Sequence, residues 1–100
     1  MGTPCTSGNW TVKPGSEEAF IEAWKEFADW TKKEIEGDFH AVLLRDQQEK
    51  NKFVSVGTWP SNDAINSWRN HADFPQMIGK PKSLCAEFVA HDCDQVVEIG

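Results

Sequence analysis

Two neighbouring segments carry apolar side chains on both of their faces. In residues 38–46, DFHAVLLRD, one alternating set is Phe39, Ala41 and Leu43, and the other is His40, Val42 and Leu44. In residues 51–59, NKFVSVGTW, the sets are Phe53, Ser55, Gly57, Trp59 and Val54, Val56, Thr58. Side chains alternate along a strand, so this spacing predicts two strands, with the polar QQEKN between them as a hairpin loop. An antiparallel sheet with one wet face keeps that face polar. This pair does not, so both of its faces need cover. Helices of the same chain can cover one face. A second copy of the same sheet is the economical cover for the other.

The rest of the chain supplies the helices. Phe20, Ala23, Trp24, Phe27 and Trp30 form an apolar stripe at steps of three and four, opposite Glu18, Glu22, Lys25, Asp29, Lys32 and Glu36. Ser16 is the expected cap, Glu17 and Glu18 suit the positive end of the dipole, and Gly37 is the expected stop. Before it, GNWTVKPG alternates as a strand of about six residues, with Gly8, Trp10 and Val12 on one face, closed by Pro14-Gly15. A second helix starts after the Ser61 cap, with Ala64, Ile65, Trp68 and Ala72 inward. Residues 73–82, DFPQMIGKPK, hold two prolines and a glycine and read as irregular. Residues 81–91, PKSLCAEFVAH, read as a short helix with Leu84, Cys85, Phe88 and Val89 inward, and residues 94–99, DQVVEI, as a last strand.

The predicted order is strand, helix, strand, strand, helix, short helix, strand. That is the split βαβ arrangement of α+β ferredoxin-like folds: a four-stranded antiparallel sheet with helices on one face. At 100 residues the chain fits one domain, 1–100. A core this small gains from oligomerisation, which agrees with the uncovered sheet face.

Composition narrows the partners. Ten Lys+Arg against sixteen Asp+Glu give a net charge of −6, which argues against nucleic acid or an anionic membrane. The apolar runs fall far short of the roughly 20 residues needed to span a bilayer. The first ten residues lack the basic-then-apolar pattern of an export signal, and the three cysteines have no C-x-x-C spacing. The expectation is a cytoplasmic protein with reduced thiols. Five Trp and six Phe, with no Tyr, suit a pocket for a flat ligand.

Several stretches together resemble the antibiotic biosynthesis monooxygenase (ABM) family of dimeric α+β barrels. They are WTVKPG before the first helix, AFIEAWKEFADWT within it, LLRD in the second strand, and FVSVGTWPSNDAINSWRNHADF through the third strand and second helix. The resemblance spans residues 10–90, with Trp59, Ser61, Ala64, Trp68 and Phe74 as its signature. It implies a homodimer with one cavity per subunit between sheet and helices. It also implies a cofactor-independent monooxygenase that oxidises a small aromatic, quinol- or anthrone-like substrate with molecular oxygen. A non-catalytic homodimer binding a small apolar ligand is the alternative. The haem-degrading branch of the family places an asparagine, a tryptophan and a histidine at what are here Gly8, Trp68 and Ile78. Asn9 is one residue off and on the opposite strand face. With the axial ligand missing, a haem-degrading monooxygenase is only the second alternative, and no cofactor is expected.

Candidate site residues follow. Helical spacing makes Trp68 a core residue, and the resemblance puts it at the wall of a cavity. His71 precedes the resumption of the apolar stripe and is of the residue type that most often serves as a general base. Trp68 and His71 are therefore the catalytic candidates. Trp10, Trp24, Phe27, Ser55, Trp59, Phe74 and Ile78 are the candidate substrate-binding residues. His40 shares a strand face with Val42 and Leu44. His91, Asp92, Cys93 and Asp94, with Cys85, look like metal donors, but consecutive strand positions point to opposite faces and lack the spacing of a zinc site. No metal is expected. Arg69 is turned about 100° from Trp68 on an ideal helix, so it reads as exposed.

Overall fold

A computed structural model describes residues 2–100. Its elements in chain order are β1 (Thr3–Val12), α1 (Glu17–Glu34), β2 (His40–Arg45), β3 (Lys52–Thr58), α2 (Asn62–Arg69), α3 (Phe74–Ser83) and β4 (Cys85–Gln95). The strands form one sheet in the order β2-β3-β1-β4, every neighbour antiparallel. This is the expected ferredoxin-like α+β arrangement.

Register decides which side chains meet the helices. Trp10 pairs with Phe53 on one side and Phe88 on the other, and Gly8 pairs with Ser55 and Ala90. These residues share the face that α1, α2 and α3 cover. Two aromatic clusters fill the space beneath the helices. One holds Trp10, Val12, Phe20 and Phe53, and the other Phe27, Phe39, Trp59, Ile65 and Trp68. Ile78 on α3 packs against both. Full burial of each such side chain is worth about 1.5–3 kcal/mol.

Among the described residues, no helix covers the opposite face of the sheet. Register aligns Leu44, Val54, Asn9 and Val89 in one row across all four strands. Leu44 is 54% exposed, Val42 53%, Val89 41% and Val54 40%.

Four sequence expectations are corrected. Residues 74–83 are a helix. Pro75 sits in its first turn, where a missing N–H has no intrahelical partner to lose. Pro81 lies in its last turn and is buried, so packing against α1 and β4 outweighs poor propensity. The predicted short helix over 81–91 is instead largely β4. Leu84, Cys85, Phe88 and Val89 satisfy a helical spacing, but the edge of a ten-residue β1 offers a ladder of hydrogen bonds. β1 itself begins five residues before the predicted Gly8, at Thr3. The predicted strand over 94–99 lies mostly past β4, where Val96, Val97 and Ile99 are exposed.

Helix ends differ in detail. Ser61 Oγ accepts from the Ala64 N–H at 3.1 Å, as a cap should. Ser16 makes no such side-chain bond. The Glu17 carboxylate instead accepts from the Gly15 N–H at 2.9 Å. Gly37 takes a left-handed conformation, φ 102°, in the turn beyond α1.

Candidate functional site

A cavity of about 290 Å³ lies between the sheet and the helices. That is the small end of the range for ligand pockets, about 300–1,000 Å³. Its wall includes eight of the nine candidate residues: Trp10, Trp24, Phe27, Ser55, Trp59, Trp68, Phe74 and Ile78.

The aromatic side chains of the wall fall into two groups. Trp59 and Trp68 meet with ring centroids 4.7 Å apart, and Phe74 stands edge-on to Trp68 at 4.7 Å. Phe39 packs on Trp59 at 4.6 Å. On the other side Phe88 stacks on Trp10 at 3.9 Å. Such contacts hold each ring in a fixed plane, which suits a flat guest.

Three indole N–H groups of the wall end on hydroxyls. Trp10 Nε1 donates to Ser55 Oγ at 2.9 Å, Trp59 Nε1 to Thr6 Oγ1 at 3.0 Å, and Trp68 Nε1 to Thr31 Oγ1 at 2.8 Å. Thr31, 1% exposed, passes its own hydrogen to the Phe27 carbonyl at 2.9 Å. The register makes room for the first two pairs. Gly8 faces Ser55, and Gly57 faces Thr6. A Cβ at Gly8 would stand 2.8 Å from both Ser55 Oγ and Trp10 Nε1.

His71 is not on this wall. Its Nδ1 accepts from the Asp73 N–H at 3.0 Å, so the hydrogen of a neutral ring sits on Nε2, which donates to Glu34 Oε1 at 2.7 Å. The ring also stands edge-on to Trp30. The histidine thus pins the turn after α2 to the end of α1.

Arg69, read from sequence as exposed, contributes to the wall beside Trp68. Its guanidinium grips Asp92 on β4 through both carboxylate oxygens, Nη1 to Oδ2 at 2.7 Å and Nη2 to Oδ1. This hydrogen-bonded pairing holds the Asp92 carboxyl below its ordinary pKa and raises that of Arg69. Arg69 is the one ionisable side chain among the residues lining the cavity. The pair closes the gap between α2 and the edge strand.

Along β4, His91 and Cys93 alternate with Asp92 and Asp94, so the two pairs point to opposite faces of the sheet. Among the described residues, no three His, Cys, Asp or Glu side chains gather as a metal site would require. All three cysteines are free thiols, and burial raises the pKa of Cys5 and Cys85.

Sequence reasoning missed Thr6, Thr31, Phe39, Arg69 and Phe88 as wall residues. Thr31 had a signal: it stands four residues after Phe27 and continues the buried stripe of α1. Thr6 precedes the predicted start of β1, and Phe88 reads as inward on a helix that is in fact β4.

Residues 6–80 match the family model described as antibiotic biosynthesis monooxygenase. Among solved structures, a point mutant of SnoaB, a cofactor-independent oxygenase from Streptomyces nogalater, superposes with a TM-score of 0.88 at 16% identity, covering 99% of this chain and 98% of that one. A candidate antibiotic biosynthesis monooxygenase from Nitrosomonas europaea gives 0.82 at 18% identity, with coverages of 100% and 97%. A Pseudomonas aeruginosa protein gives 0.75 at 18% identity, with 97% and 98%. No curated protein is a significant match to the sequence. At these identities the structural likenesses speak for the fold alone.

Proposed function

Because the chain belongs to the antibiotic biosynthesis monooxygenase family, we propose that it is a cofactor-independent monooxygenase for a small, flat, quinol- or anthrone-like aromatic. The carrying observation is the cavity itself: an aromatic slot of about 290 Å³ whose polar groups are mostly hydroxyls. In the reaction a ring carbon gives up two hydrogens to molecular oxygen. One oxygen atom stays as a new carbonyl, and the other leaves as water. Trp68 serves as the wall, with Trp10, Trp24, Phe27, Trp59, Phe74 and Ile78 completing the slot. Ser55 is a donor toward a substrate oxygen, where charge gathers when the ring loses its proton. Excluding water is the remaining contribution. SnoaB, with the same fold, is described as cofactor-independent, which supports assigning no cofactor here.

His71 is left out of this assignment, since its two ring nitrogens are engaged elsewhere. The wall carries no carboxylate or imidazole. That observation favours a second reading, a domain that binds a flat ligand without turning it over. Oxygen uptake with anthrone and a panel of quinols separates the two. Uptake above the buffer rate, lost in Trp68→Ala, supports the oxygenase. Uptake equal to buffer, with ligand-dependent quenching of tryptophan fluorescence, supports the binding domain.

The same reading includes a homodimer in the cytoplasm. Its support is the apolar row of Leu44, Val54 and Val89 on the uncovered sheet face, together with free thiols. No helix among the described residues is long and apolar enough to cross a membrane.

A further inference from the structure

The cavity floor is built twice. Thr6-Ser7-Gly8-Asn9-Trp10 on β1 and Ser55-Val56-Gly57-Thr58-Trp59, on β3 and just past it, share one pattern: hydroxyl, any residue, glycine, any residue, tryptophan. The strands are antiparallel, and Thr6 pairs with Gly57 while Gly8 pairs with Ser55. The two copies are therefore related by a local twofold axis through the Ser7–Val56 pair. Each tryptophan folds back over its own glycine and donates to the hydroxyl of the other copy, Trp10 to Ser55 and Trp59 to Thr6. Each glycine keeps the space clear. A Cβ at Gly57 would lie 3.2 Å from Thr6 Oγ1, and one at Gly8 2.8 Å from Ser55 Oγ.

A hydroxyl has one hydrogen and two lone pairs. Thr31, the third indole acceptor, gives its hydrogen to a backbone carbonyl. Thr6 and Ser55 accept from an indole in the same way, yet among the described residues neither donates to a protein acceptor. With one lone pair of each oxygen fixed by an indole, the remaining donor of each is free to serve the cavity. The two hydroxyls belong to diagonal neighbours on adjacent strands, residues roughly 7–8 Å apart, with Cβ atoms somewhat closer. That is a wide gap for a single oxygen to accept well from both, since an O–H···O bond spans about 2.5–3.0 Å. One ring with an oxygen on each edge suits it better.

We propose that Thr6 and Ser55 form a paired donor site that recognises a flat ligand by two acceptor oxygens on opposite edges of one ring. Trp10 and Trp59 are positioning residues that orient the two hydroxyls. The proposal rests on the cavity being the ligand site, and it deepens that reading by naming the atoms that select the ligand.

The test uses 2,3-dimethyl-1,4-naphthoquinone, whose substituted ring carbons block thiol addition, and 2,3-dimethylnaphthalene, which has the same outline without oxygens. Binding is followed by tryptophan fluorescence, with the hydrocarbon measured by competition. The wild type is expected to prefer the quinone. Thr6→Val and Ser55→Ala are each expected to weaken quinone binding about five- to tenfold and leave the hydrocarbon unchanged. Thr6→Ser and Ser55→Thr, which keep the hydroxyl, should restore the preference. A wild type that does not distinguish the two compounds overturns the proposal without any variant. So does an equal loss for both ligands in the hydroxyl-free variants. Failure of oxygen uptake would sink the oxygenase reading and leave this preference standing, so the two outcomes are separable.

Discussion

Trp68 on α2 and Thr31 on α1 are joined by a buried 2.8 Å hydrogen bond, and Thr31 hands its own hydrogen to the Phe27 carbonyl. The wall of the cavity is thereby tied to the longest helix through an atom that solvent does not reach. Replacing Thr31 by Val keeps the shape and removes the acceptor. The indole N–H is then buried and unpaired, at a cost of about 1–3 kcal/mol. Urea unfolding should show the midpoint falling accordingly. An unchanged midpoint would mean that Trp68 finds another acceptor.

Two glycines should respond in opposite directions to the same substitution. Gly8→Ala places a methyl 2.8 Å from Ser55 Oγ and Trp10 Nε1 and 3.0 Å from Phe88. Forcing those groups apart is expected to cost about 1–3 kcal/mol and to weaken ligand binding. Gly79→Ala, inside α3, meets nothing within 4 Å. It should stabilise by about 0.4–1 kcal/mol, because alanine has less chain freedom to lose. Thermal melts of the two variants, run side by side, check both signs.

The link between Arg69 and Asp92 gives a pH signature. Its hydrogen bonds hold the Asp92 carboxyl below its usual value. A depressed carboxyl pKa contributes stability that is complete above the unfolded value, about 3.9. That contribution disappears as pH falls through the lower, folded value. Asp92→Asn should therefore be less stable than wild type at pH 7, and the gap should close in strong acid. Both side chains are more than a third exposed, so the gap at pH 7 should stay below about 1 kcal/mol. A gap that widens in acid would assign the linkage to another group.

The uncovered sheet face predicts its own variant. Val54 lies between Leu44 and Asn9 in the row that crosses all four strands. Val54→Asp puts a charge in the middle of that row. It should convert a dimer into a monomer in light scattering while leaving the far-ultraviolet spectrum unchanged. A wild type that is already monomeric at micromolar concentration would remove the dimer from the reading.

Thiol chemistry offers a further check. Cys93 is exposed on that same face, whereas burial raises the pKa of Cys5 and Cys85. Only the thiolate reacts quickly. In the separated Val54→Asp chain, maleimide should label Cys93 first, with Cys5 and Cys85 slower.

The sequence told most about elements whose residues agree at every level. Helix α1 carries an apolar stripe, acids in its first turn and bases in its last, and it appears where those signals place it. The aromatic wall was also legible, because Trp10, Trp59 and Trp68 are apolar at positions that both periodicity and family resemblance point inward. What stayed hidden depends on pairing between distant parts of the chain. Phe88 faces the cavity only because β1 offers an edge to residues 85–95. Helix α3 forms despite Pro75, Gly79 and Pro81 because Met77 and Ile78 have aromatic clusters to pack on. His71 has the chemistry of a base, and only the placement of Glu34 and Asp73 around it shows where its protons are committed.

The pairing of Thr3 with Gln95 has a kinetic consequence. The two strands that flank the cavity floor on its β4 side lie at opposite ends of the described chain. Closing so long a loop costs entropy before any contact rewards it, and non-local pairing of this kind slows folding. The β2–β3 hairpin and α1 can form from local signals, but Phe88 and Asp92 arrive only with β4. The slot for a flat guest is therefore among the last features to be assembled. Occupancy by a guest would then report that the chain has finished folding, which makes ligand-induced fluorescence change a clock for the final step.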